Sequence, residues 1–176
     1  MSEPTAEHEK VIVKNSDGVV TEEATMLGGL LDGETILYSS GRVVGRLHFK
    51  QGKQEGESVF YDDAGRVTMK SLYHDGKLNG EGTFFDENGK IIRKENYKDG
   101  QLHGRRSDFY PTGKAREVAH YQQGLPHGEL IRLAPDGQIQ EIVCYVKGRK
   151  VPCPPQVAQM QQKQAKVFQT KKLITG

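Results

Sequence analysis

Apolar side chains in this chain come in short, recurring bursts. Val59-Phe60-Tyr61, Thr83-Phe84-Phe85, Ile91-Ile92 and Ile139 to Val143 are runs of β-branched and aromatic residues bounded by glycine-containing polar segments. No run carries the periodicity of an amphipathic helix, and such bursts are what strands are made of. The polar punctuation is regular. Gly52, Gly76, Gly100, Gly124 and Gly148 stand 24 residues apart, with Gly29 one residue closer at the start. A second ladder follows at Gly33, Gly56, Gly80, Gly104 and Gly128, and a third at Gly41, Gly65, Gly89, Gly113 and Gly137. Phe49, Tyr73, Tyr97, Tyr121 and Tyr145 precede the first ladder by three residues, while Tyr38, Tyr61, Phe85 and Phe109 precede the third. A fixed period of this length marks an array whose units bury apolar surface against their neighbours.

Within the unit Tyr73 to Asn96, Asp75-Gly76, Asn79-Gly80 and Asn88-Gly89 are turn signals of the kind that closes two-residue hairpins. Two strands per unit follow, with the sheet lengthening by roughly 10 Å for each unit. The predicted fold is all-β: an elongated single-layer antiparallel meander of repeated β-hairpins with a C-terminal α-helix. Gly80 and its equivalents fall inside strands, which predicts a bulge or an aromatic ring packed over bare backbone.

Residues 1–10 are expected to be disordered and 11–152 to form the array. Its parts are a half-unit cap at 11–25, repeats at about 26–48, 49–72, 73–96, 97–120 and 121–144, and a truncated unit at 145–152. Pro152 takes the place of a second-ladder glycine and stops strand propagation. Residues 153–176 form a helix and tail, with the helix over Gln156 to Leu173 and Val157, Met160, Val167 and Phe168 on its apolar side. Such a helix either covers its own sheet or docks on a partner chain.

Composition narrows the function. With 35% hydrophobic residues, 21 glycines and no tryptophan, the chain has little material for a two-layer core. A formal charge of +2 from interleaved signs gives no field for nucleic acid. Four tail lysines (Lys163, Lys166, Lys171, Lys172) without an acid either favour an acidic partner or lipid or solvate a helix face. The start, with Glu3, Glu7 and Glu9, is no secretory signal, and no window has the roughly 20 apolar residues of a membrane span, so a cytoplasmic location is expected. Cys144 and Cys153 have no histidine nearby and fit neither a disulfide framework nor a zinc set, which predicts two unpaired thiols.

No catalytic residue, metal ligand or cofactor motif can be named, so the expectation is not an enzyme, with no cofactor. His103 and His127 share a position in successive units, but about 10 Å separates such positions, too far to share a metal. Asp62-Asp63 and Asp86-Glu87 precede turn glycines and belong to turn chemistry. The doublets Phe60-Tyr61, Phe84-Phe85 and Phe109-Tyr110 put rings on opposite faces of a strand, and one layer cannot bury both. Phe60, Phe84 and Tyr110, with Tyr73, Tyr97 and Tyr121, are therefore the candidate partner-binding residues, and Val157, Met160, Val167 and Phe168 the candidate helix interface.

The recurring pattern Y-x-x-G-K-x-x-G-x-x-x-x-[YF]-x-x-x-G-K, clear in Tyr73 to Lys90 and Tyr97 to Lys114, resembles the MORN repeat and more closely its 24-residue bacterial variant, over about Met26 to Lys147. That variant is typical of proteins similar to the YwqK family of antitoxins and of immunity proteins beside polymorphic toxins. The resemblance implies a cytoplasmic protein-binding module that blocks a cognate toxin. Two alternatives stay open. One is a peripheral membrane protein that holds phospholipid through Lys53 and Lys77, through Arg66, Lys90 and Lys114, and through the lysine tail; the other is a scaffold that forms a homodimer through its terminal strand or helix.

Overall fold

The computed structural model describes residues 7–157 and 159, and these form an antiparallel all-β fold of sixteen strands in one open sheet. The strands are β1 (Glu9–Lys14), β2 (Val20–Leu27), β3 (Leu30–Ser39), β4 (Arg42–Lys50), β5 (Lys53–Gln54), β6 (Gly56–Tyr61), β7 (Val67–His74) and β8 (Lys77–Leu78). They continue as β9 (Gly80–Phe85), β10 (Ile91–Lys98), β11 (Gln101–Leu102), β12 (Gly104–Phe109), β13 (Ala115–Gln122), β14 (Leu125–Leu133), β15 (Ile139–Val146) and β16 (Arg149–Val151). The chain divides into two units: residues up to Lys90 with Tyr97–Gly100, and Ile91–Asn96 with the residues from Gln101 onward. In the first, β1, β2, β3, β4, β6, β7 and β9 pair in that order; in the second, β12 to β16 follow β10. The two-residue strands β5, β8 and β11 fold back on β4, β7 and β10. The cap strand β1 starts at Glu9, two residues ahead of its expected start.

Each glycine ladder has a different task. At the first, Asp75 and Gly76 have φ of 52° and 80°, the two left-handed residues of a type I′ turn, and Asp99-Gly100 and Gln123-Gly124 repeat it. The turn also ties one repeat to the one before: Gly76 N–H donates to Gln54 O at 2.9 Å and Gly100 N–H to Leu78 O at 2.8 Å. At the third, only the glycine is left-handed from Gly65 onward, whereas Ser40-Gly41 has both residues left-handed. Gly89 N–H donates to Asp86 O, and the Asp86 carboxylate accepts from the N–H groups of Asn88 and Lys90, both at 2.9 Å. Those carboxylate bonds, the one from Lys90 first, hold Asp86 below the usual carboxylate range.

The second ladder does not turn a hairpin. Asn79 N–H donates to Leu72 O at 2.9 Å, after which Gly80, at φ 115°, starts β9 as a bulge. A Cβ on Gly80 would lie 3.1 Å from Leu72 Cδ1, so an aliphatic side chain, not a ring, packs over this backbone. The ring-over-glycine contact occurs two residues on, where a Cβ at Gly82 would meet Tyr97 Cε2 at 3.2 Å and Phe84 Cε2 at 3.8 Å.

The C-terminal region corrects one expectation. Cys144 and Cys153 are joined by a disulfide, and neither thiol is free. Cys144 faces Val151 across the β15–β16 hairpin, and past Pro152 the chain brings the Cys153 Cα to 5.1 Å from that of Cys144. Nine-residue spacing looks uninformative until the intervening hairpin is counted. Residues 155–157 are helical, and Val157 is buried with Ile142 and Cys144 against Ile131, Ile139 and Val151. The described start of the helix therefore packs on its own sheet; Met160, Val167 and Phe168 lie outside the described residues. No helix among the described residues is long and apolar enough to cross a membrane.

Candidate functional site

Cross-strand register decides which side chains share a face. In the first unit, Leu37, Gly45, Phe60, Met69 and Phe84 stand directly opposite one another on β3, β4, β6, β7 and β9, a continuous apolar row on what we call the front face. Gly45 makes room for it: a Cβ there would lie 3.3 Å from Leu37 Cδ1 and 3.5 Å from Phe60 Cδ1. Next to this row lies one of smaller residues, Thr35, Ser58 and Ser71, all buried, and beyond it Phe49 and Tyr73. A one-layer sheet buries these small residues because large side chains on both sides lean over them, as Phe84 and Tyr97 do over Gly82. Phe60, Met69, Phe84, Tyr73 and Tyr97 themselves are half-buried.

The second unit puts charge at the same repeat positions. Arg93, Asp108, Glu117, Arg132 and Glu141 face one another across β10, β12, β13, β14 and β15. Arg93 Nε donates to Asp108 Oδ1 at 2.6 Å, Arg106 Nη2 lies 3.0 Å from Asp108 Oδ2, and Glu95 Oε1 lies 3.6 Å from both Arg93 and Arg106. Asp108 and Glu95 are 3% and 6% exposed, so these are interior ion pairs. Burial pushes the Arg106 guanidinium down, but Asp108, Tyr121 and Glu95 outweigh it and leave its pKa raised. Arg132 bridges Glu117 and Glu141 at the more exposed end.

Residues 78–99 match the MORN repeat variant family. The match supports reading the array as MORN repeats and, with it, a protein-interaction or binding module. No curated protein matches the sequence. Among solved structures, one of accessory secretory protein 1, 2 and 3 in Streptococcus pneumoniae is similar at 16% identity over 57% of this chain and 19% of that one, with a TM-score of 0.37. Another, the GtfA/B complex bound to UDP and GlcNAc, is similar at 16% identity over 62% and 21%, with a TM-score of 0.27. The chain spans about a fifth of the length of those structures, and at such scores neither likeness carries an argument.

Of the six candidate aromatic residues, the first unit brings together Phe60, Phe84, Tyr73 and Tyr97 on its front face. Tyr121 is on the front face of the second, where its hydroxyl lies 3.3 Å from Arg106 Nη1. Tyr110 is placed elsewhere. It takes the turn position that Asp62 and Asp86 hold in the preceding repeats, and its hydroxyl donates to Leu133 O at 2.8 Å. The residue in register with Phe84 is Asp108, because the aromatic doublet slips by one residue between the two repeats. Sequence reasoning missed the ionic network altogether, although counting 24 residues on from Phe84 reaches it. His103 supplies a bulge N–H to Asn96 O at 2.8 Å, and His127 Nδ1 accepts from Lys147 N–H at 3.4 Å. Among the described residues no three His, Cys, Asp or Glu side chains form a metal-binding group. Of the basic rows, Lys53 is paired with Asp75 at 2.6 Å and Arg66 with Asp62 at 2.7 Å.

Proposed function

We propose that this chain is a non-enzymatic protein-interaction module, of antitoxin or immunity type, that receives its protein partner on the front face of the first unit. The reading rests on one observation: Leu37, Phe60, Met69 and Phe84 form an unbroken apolar row whose larger members are half-exposed on a one-layer sheet. Contiguous apolar surface of this kind is what interfaces are built on, and aromatic side chains dominate their energetics. Lipid binding has less in its favour, since Lys53 and Arg66 already neutralise acids of their own chain.

The test is co-expression. A partner isolated with the chain in fixed stoichiometry should arrest growth when expressed alone and lose that effect when the chain is supplied. A partner that is harmless alone would remove the toxin from this reading, and a chain that always isolates without a partner would remove the interaction role.

A further inference from the structure

We infer that the Cys144–Cys153 disulfide is a thiol-exchange site that latches the C-terminal segment onto the back face of the second unit, the side opposite Arg93 and Asp108. Three features converge there. Cys144 is buried and Cys153 half-buried, so the sulfur open to attack belongs to the outer segment and its partner to the sheet. The segment from Cys153 is anchored at two points, the disulfide itself and Val157, 8% exposed against Ile142 and Cys144. The strands beneath have a ladder of their own: β14 and β15 are paired from Gly128–Tyr145 to Leu133–Ile139. Among the described residues after Cys153, Val157 alone is buried, so breaking the disulfide leaves it as their one anchor on the sheet. Residues 153–157 then come away, uncovering Ile131, Ile139 and Ile142.

The chemistry is thiol–disulfide exchange with a dithiol reductant. A reductant thiolate attacks Cys153 Sγ, the Cys144–Cys153 bond breaks, and its electron pair leaves on Cys144 Sγ. The reductant's second thiol then attacks the mixed disulfide and releases Cys153. Two electrons and two protons pass to the protein, which ends with two thiols, and the reductant ends as a disulfide. This latch is independent of the partner-binding reading, because it lies on other strands.

The full chain, isolated under non-reducing conditions with thiols blocked at lysis, is compared with and without dithiothreitol. Mass measurement gives the thiol count, and hydrogen exchange gives the protection of each backbone N–H. The expected result is no blocked cysteine before reduction. Afterwards the Val157 N–H, which donates to Pro154 O at 3.0 Å, should exchange at least about tenfold faster while β14 and β15 keep their protection. Cys153→Ser should show the same local release without reductant. Two blocked cysteines in the isolated chain, an unchanged Val157 N–H after reduction, or loss of protection in β14 and β15 together with it would each overturn the latch.

Discussion

Position for position, the front faces of the two units share one backbone and opposite chemistry. Phe60 and Phe84 in the first unit become Asp108 and Arg132 in the second, and Met69 becomes Arg93 and then Glu117. The turns and repeat-to-repeat backbone bonds hardly notice: Gly76 and Gly124 make the same N–H···O contact at 2.9 Å on either side of the change. The fold is therefore carried by glycine conformations and main-chain hydrogen bonds, which leaves the front-face side chains free to diverge. One unit uses that freedom to display apolar surface. The other fills it with ion pairs that engage one another, although Arg106 Nε, 3.6 Å from Glu95 Oε1, is left without a hydrogen bond.

The largest expected effect comes from breaking the closed face. Asp108→Ala strands Arg93 and Arg106 beside a vacated interior site, and denaturant unfolding should show a loss of about 3–5 kcal/mol. The paired change Arg93→Met with Asp108→Phe, which writes the first unit's row into the second, should recover the part of that loss that comes from Arg93, because an apolar pair replaces the ionic one, while Arg106 keeps only Glu95. If the double variant is as unstable as the single one, the two rows are not interchangeable and the comparison fails.

A smaller effect separates two bulge glycines in equivalent places. Gly80→Ala meets both φ 115° and Leu72 at 3.1 Å, whereas Gly104→Ala meets φ 90° with Asn96 Cβ at 3.7 Å. Thermal unfolding should place the first about 1–3 kcal/mol below wild type and the second nearer the low end of that range. Equal losses would mean that backbone strain alone, without the Leu72 contact, sets the cost.

The smallest effect is a pH slope confined to the first unit. His74 Nδ1 lies 2.9 Å from Glu55 Oε1, a contact that raises the histidine above its ordinary 6.5. Glu55 is held below 4.5, first by the Asp75 N–H and then by His74. The histidine's contribution is complete below 6.5 and fades as pH rises through its raised value. The glutamate's contribution is complete above 4.5 and fades as pH falls through its lowered one. His74 is exposed and Glu55 half-exposed, so the slope should be shallow, and His74→Gln should abolish its upper limb in a stability-versus-pH series.

Most of the architecture was legible because its determinants are local. Asp75-Gly76 needs only its own two φ angles to announce a turn, and the 24-residue count places the next. The candidate site was legible only where the aromatic residues kept register. Phe60, Phe84, Tyr73 and Tyr97 did; Tyr110 shifted by one residue and moved from a face to a turn. Asp108 can be reached by counting 24 residues on from Phe84, but that it faces Arg93 is a property of pairing that composition does not carry. The disulfide escaped for the same reason, since Cys144 and Cys153 become neighbours only once β15 and β16 are paired.

The comparison's functional claim, that binding belongs to the open apolar face and not to the closed ionic one, is tested by calorimetric titration of the co-isolated partner against three chains. Wild type should bind, Phe60→Ser with Phe84→Ser should lose at least about 2 kcal/mol of binding free energy, some thirtyfold in Kd, and Arg132→Ala should bind within about threefold of wild type. Undiminished binding by the doubly substituted chain, with its sheet intact by circular dichroism, would contradict the account.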